Sequence, residues 1–164
     1  DLLRENSINA TFFVIANEHT ISATRRPLLR QAASIGHEIA NHGLEDAPMN
    51  HMDRAAFEIA LNEWENRVQS ILPQWPMHRS DWKWFRPPQG LMSSVMESVL
   101  EERRYRVALT DVYSDDWLIQ DSSFHTRVID GAACGGSILL LHVPDRQARV
   151  QTLDILKKAI PLLR

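Results

Sequence analysis

Along this chain the apolar positions switch back and forth between two periods. Residues 10–16 form a near-continuous apolar run rich in aromatic and β-branched side chains, the pattern of a strand buried on both faces of a parallel sheet. After a polar stretch, Pro27 opens a helix predicted through Ile35, with Leu28, Leu29, Ala32 and Ala33 toward the core and Gly36 as its stop. A short strand over 37–40 follows. Asp53 reads as the N-cap of a helix over 54–72, in which Phe57, Leu61, Trp64, Val68 and Ile71 recur at helical spacing. That periodicity assigns Trp64 to the core. Residues 73–83 read as an irregular connection containing Trp75, Pro76, His78 and Trp82, after which Trp84 and Phe85 form a strand stopped by Pro87 and Pro88. An amphipathic helix over 93–103, a strand over 105–110, a helix over 122–133, a strongly apolar strand over 137–141 and a final helix over 149–163 complete the pattern. Residues 1–6 read as the end of a helix with Leu2 and Leu3 on its buried side. Such alternation argues for a parallel β/α architecture, and a closed or partly closed barrel is one solution.

Composition narrows this picture only slightly. At 164 residues the chain is long enough for one domain with a real core and too short to predict two. A formal net charge of −3 and a pI near 6.2 supply no basic field for nucleic acid or an anionic membrane. No apolar run approaches the roughly 20 residues of a membrane span, and no signal-peptide pattern opens the chain. Cys134 is the single cysteine, which excludes an intramolecular disulfide; its small-residue surroundings suggest a structural role.

Candidate chemistry begins in residues 36–52, where a short alternating segment runs into a turn carrying His42, Asp46 and His51. An imidazole and a carboxylate four positions apart can share one divalent cation if the segment coils. The same residues also suit a polar strand-to-helix loop, and the spacing alone leaves both readings open. Downstream, in order, come Trp84-Phe85-Arg86-Pro87-Pro88-Gln89-Gly90, Asp115-Asp116-Trp117 and Leu139-Leu140-Leu141-His142. His42, Arg86, Asp116 and His142 each fall at or just beyond the C-terminal end of a predicted strand, where β/α barrels carry their chemistry.

Taken together, these segments resemble the motifs of the polysaccharide deacetylase (NodB-homology) family: NHTxxH, RPPxG, a DxxDW-like motif and LxH. The resemblance implies a distorted (β/α) barrel of about seven strands, here truncated at both ends, forming a single partial domain over 1–164. It implies metal-dependent hydrolysis of N-acetyl groups on a glycan such as chitin or peptidoglycan. By carry-over, His42 and Asp46 would be metal ligands, Asp46 standing where the family has a second histidine, for zinc, cobalt or another divalent ion. His142 would be the catalytic acid, Asp116 the carboxylate that tunes it, and Arg86 the side chain that orients the catalytic base. Trp117, Pro87, Gly90 and Leu140 would contact substrate, although Trp117 also suits plain core. His51 reads as an exposed loop histidine.

The departures from the family pattern raise competing expectations. Gln89 replaces the usual aromatic, Tyr113 stands at the earlier Asp of DxxDW, and nothing resembles the family's TFDDGP motif, which supplies the base and a further ligand. In the family that motif precedes the ATFF-like strand by one helix, the helix in which this sequence begins. The expected explanation is a fragment that is itself inactive, with Asp1 a poor substitute for the base. Alternatives are a catalytically inactive glycan-binding or scaffold barrel, or a hydrolase of a small amide or ester. The resemblance implies a secreted or cell-surface protein, while localisation and oligomeric state are not written in the sequence.

Overall fold

The computed structural model describes residues 2–76, 82–143 and 150–163. Asp1, His78 and Arg149, each given a place above, lie outside the described residues. The chain divides into two compact units, Leu3–Ala108 and Leu109–Arg164.

The first unit is built on four parallel strands in the order β1-β2-β3-β4: Thr11–Val14, Glu38–Asn41, Lys83–Phe85 and Tyr105–Val107. Among the described residues this sheet is open, not closed into a barrel. Register pairs Phe12 with Ile39 and Trp84 with Arg106. Helix α1, Leu2–Glu5, contains no buried residue, so Leu2 and Leu3 are only half-covered and not on a buried face. Helix α2, Arg26–Ser34, buries Ala33 but leaves Leu28 61% exposed, so the apolar stripe read from the sequence is one residue too wide. Gly36 ends the turn after it at φ 94°, the left-handed backbone that glycine adopts without penalty.

Helix α3, Arg54–Gln69, starts where Asp53 accepts a hydrogen bond from the Ala56 N–H at 2.8 Å. Its apolar stripe supplies most of the core: Phe57, Leu61, Trp64 and Val68 are buried against Val14, Ile39 and Phe85. Trp64 is fully buried, its indole N–H donates to the Val14 carbonyl at 2.7 Å, and its ring meets Trp75 edge-on. Helix α4, Ser94–Glu102, is capped by Ser93 and closes the same core with Met96, Val99 and Leu100. Beside that core, Glu65 of α3 gathers the Tyr105 hydroxyl and the Lys83 ammonium at 2.7 Å each and Arg103 at 3.0 Å.

In the second unit, helices α5, Ser122–Ala132, and α6, Thr152–Ala159, bury Ile129, Ile155 and Ala159 around Val112. The apolar segment 137–141 does not form the predicted strand: only Leu139 bridges to Val112, and Ile138 is 48% exposed. Apolar composition alone does not make a strand, because each residue's backbone N–H and C=O need a paired neighbour. Cys134 is exposed, with Sγ 3.5 Å from the Ser137 hydroxyl, and so is not a packed structural thiol.

Candidate active site

Within the first unit, the ends of β1 and β3 hold His42 on two sides. The His42 N–H donates to Val14 O of β1 at 3.1 Å, and the neighbouring Asn41 carbonyl accepts the Arg86 N–H at 2.9 Å. The His42 ring then turns so that Nδ1 lies 2.8 Å from the Arg86 carbonyl. A carbonyl only accepts, so Nδ1 carries the proton and the ring's basic lone pair is on Nε2. That is the usual way a metal-binding histidine is oriented from its far side.

Asn41, which the sequence reading passed over, is fully buried at this junction. Its Oδ1 accepts the Gly43 N–H at 2.8 Å and its Nδ2 lies 3.5 Å from the Tyr105 hydroxyl. Burial and then the Glu65 charge push that hydroxyl far above the phenol range, so Tyr105 stays a neutral donor. The signal for Asn41 in the sequence was its place directly before His42, at the first position of the NHTxxH-like segment. Gly43 is held at φ 74°, and a Cβ there would meet Met49 Sδ at 3.0 Å and Pro88 Cγ at 3.3 Å.

Asp46 lies four residues on, exposed in the bend over 44–47, which is not helical; His51 is also exposed. Among the described residues no group of three or more His, Cys, Asp or Glu side chains is placed to hold a metal ion. The orientation of His42 therefore fits a metal, while the described donor set is short of a full coordination shell. Arg86 donates from Nη1 to the Ala108 carbonyl at 3.2 Å. Pro87 and Pro88 are both buried, whereas Gln89 and Gly90 are exposed and both take positive φ in a tight 3₁₀ turn, Pro88–Gly90.

Within the second unit, His142 and Asp116 are in direct contact. The His142 N–H donates to Asp116 Oδ2 at 2.7 Å, and the ring Nδ1 lies 2.7 Å from Oδ1. Asp116 is fully buried, whereas the His142 side chain retains 28% exposure. Burial, the largest single influence, presses the Asp116 carboxyl toward its neutral form, but the two hydrogen bonds from His142 together with the nearby imidazole charges hold the group below the ordinary carboxylate range. An ionised carboxylate accepts only, so His142 Nδ1 carries a proton and Nε2 is the nitrogen left to exchange one with a ligand.

The turn bearing Asp116 is strained at Asp115, φ 53°, whose carbonyl accepts the N–H groups of both Leu118 and Ile119 at 2.9 Å. Trp117 is 47% exposed in this turn and is therefore not core; Leu140 is half-buried. His125, absent from the sequence reading, is fully buried with Nδ1 2.8 Å from the Ser114 hydroxyl and Nε2 2.7 Å from the Ile119 carbonyl. Those partners tie the ring to the segment on either side of Asp116.

A family model described as Polysaccharide deacetylase matches residues 1–108. A peptidoglycan-N-acetylglucosamine deacetylase from Bacillus cereus is 25% identical over 171 residues, covering 100% of this chain and 56% of that protein. Two further curated relatives are matched over 43% and 50% of their own lengths, so the chain spans about half of such proteins. Among solved structures, a family 4 acetyl xylan esterase from Clostridium thermocellum in complex with a cobalt ion superposes with a TM-score of 0.82 at 21% identity, over 98% of this chain and 73% of that one. A CE4 family pseudoenzyme from Bacillus anthracis superposes with a TM-score of 0.77 at 15% identity, over 98% of this chain and 53% of that one. At these identities the likeness is one of fold.

Proposed function

Because the chain belongs to the polysaccharide deacetylase family, we propose that it serves the hydrolysis of N-acetyl groups on a glycan such as chitin or peptidoglycan, as part of a single deacetylase domain of (β/α) barrel type. The observation that carries this reading is the buried, ionised Asp116 holding the partly exposed His142 ring by Nδ1. Amide hydrolysis adds water to the acetyl carbon and breaks the C–N bond, and the amine leaves readily only when it takes up a proton. His142 in its protonated form gives that proton from Nε2, while Asp116 keeps its charge and its grip on Nδ1–H throughout. Acetate and the free amino sugar are the products.

His42 and Asp46 are the residues that would hold a divalent cation, zinc or cobalt. When bound, such a cation polarises the amide carbonyl and lowers the pKa of its water. The hydrogen bond from His42 to the Arg86 carbonyl supports this role, because it fixes the tautomer a ligand needs. Arg86 would orient the catalytic base that the family's first motif supplies, and Pro87, Gly90, Trp117 and Leu140 would contact the sugar. The exposure of Trp117 supports that assignment.

A second reading, a glycan-binding barrel without catalysis, is favoured by the incomplete set of metal donors among the described residues. Acetate release from N-acetylglucosamine oligomers by the full-length protein, measured against added zinc or cobalt, separates the two. His142→Ala should lower kcat on the order of 10²–10⁴-fold with no rescue by metal. His42→Ala should be partly rescued by excess metal. A wild-type protein that binds the oligomers and releases no acetate at any metal concentration would leave the binding reading standing, and release only from small acetamides or esters would move the substrate class.

A further inference from the structure

Gln151 and Thr152 are consecutive residues at the start of α6, and each grips one member of the His142–Asp116 pair by its backbone. The Gln151 Nε2 group donates one hydrogen to the Asp116 carbonyl at 2.7 Å and the other to the Ile119 carbonyl at 2.9 Å. These two carbonyls bracket the turn that carries Asp116 and Trp117, so one carboxamide staples it. His125 also donates to the same Ile119 carbonyl and hydrogen-bonds the Ser114 hydroxyl, two residues before Asp116. The Thr152 hydroxyl donates to the His142 carbonyl at 2.8 Å. One helix start thereby sets the separation of two residues that lie 26 positions apart in sequence.

The other half of the Gln151 carboxamide is the reason to see more than packing here. Gln151 is 7% exposed, and its Oε1 is buried with no hydrogen-bond partner among the described residues. A buried acceptor without a donor is a cost, which an apolar side chain of the same length would avoid. What such a side chain could not do is donate to two carbonyls at once.

We propose that Gln151 is a positioning residue for the His142–Asp116 pair, acting through the Asp116 backbone, with Thr152 performing the same service for His142. The proposal rests on the reading of His142 as the proton donor. Its structural content, that Gln151 sets the Nδ1–H to Asp116 hydrogen bond, is testable without activity.

The test compares wild type with Gln151→Met, which keeps the volume and removes both donors, and Gln151→Glu, which sets a carboxylate against two carbonyls. The first readout is the downfield Nδ1–H proton of His142 in ¹⁵N-edited NMR of the whole chain, identified by its loss in Asp116→Asn. It should move upfield and exchange faster with water in Gln151→Met, and be lost in Gln151→Glu. The second is steady-state deacetylation by the full-length protein, where kcat should fall on the order of 10–100-fold with KM little changed, the signature of a misplaced catalytic group. Wild-type protein without deacetylase activity would sink the functional reading and leave the NMR comparison intact. A folded Gln151→Met protein with an unmoved His142 resonance would overturn the inference. Should neither Gln151 variant fold, Thr152→Val reads the same resonance, and an unmoved signal there overturns the inference equally.

Discussion

The two units place their chemical groups by different means. In Leu3–Ala108, His42 is set by the sheet: its N–H joins the β1–β2 ladder and its ring meets a carbonyl at the end of β3. Behind it lies a continuous core through Phe57, Trp64 and Phe85. In Leu109–Arg164 the described residues include one isolated bridge and a small core around Val112, Ile129, Ile155 and Ala159. There His142 and Asp116 are set by side chains, through each other and through Gln151, His125 and Thr152. A group placed by a sheet inherits its precision from the core beneath, whereas one placed by polar side chains depends on each hydrogen bond separately. The first unit should therefore fail through loss of packing and the second through loss of single polar contacts.

The largest expected effect is at Trp64. Trp64→Ala removes a fully buried ring, leaves a cavity and takes the donor from the Val14 carbonyl, for a loss of about 3–5 kcal/mol. Urea denaturation should show the midpoint falling sharply. A loss under about 1 kcal/mol would mean that the α3 core is not what holds the sheet.

Next in size is Asp116. Because its carboxyl is held below the ordinary carboxylate range, it contributes stability that is present above that range and is lost as pH falls through its folded-state value. Asp116→Asn should cost about 1.5–3 kcal/mol near neutral pH, the scale of hydrogen bonds to a charged group. The gap to wild type should then close as pH drops below about 4. Melting curves over a pH series measure it, and a gap that stays constant into acid would show that Asp116 is not held by its charge.

The smallest effect is at the α4 cap. Ser93→Ala removes the acceptor for the Met96 N–H and should cost about 1 kcal/mol in a denaturant titration. It should leave the His142 Nδ1–H resonance where it is, since nothing at this cap belongs to the polar set around Asp116. A shifted resonance would break the contrast drawn between the units.

Much of the first unit was legible in advance because its signals are local. The Asp53 cap, the apolar stripe of α3 and the Gly36 stop each depend on residues within a turn or two of one another. Leu28 and the 137–141 segment misled because hydrophobicity says that a side chain prefers cover, not that a neighbour exists to provide it. Of the candidate site, His42, Arg86, Asp116 and His142 stood out by residue type at strand ends. His125 and Gln151 did not, since a buried polar residue is recognisable only by its partners.

By itself, then, the sequence determined the alternation of strand and helix through the first unit, the presence of the helices in both units and the residues able to do acid or metal chemistry, all of which follow from short-range periodicity and side-chain type. Tertiary structure alone decided that His142 meets Asp116, that the Arg86 carbonyl selects the His42 tautomer and that Gln151 spans two carbonyls of one turn. Each of those contacts joins segments that are separated along the chain, and no local pattern encodes which of many possible partners a buried polar group will find.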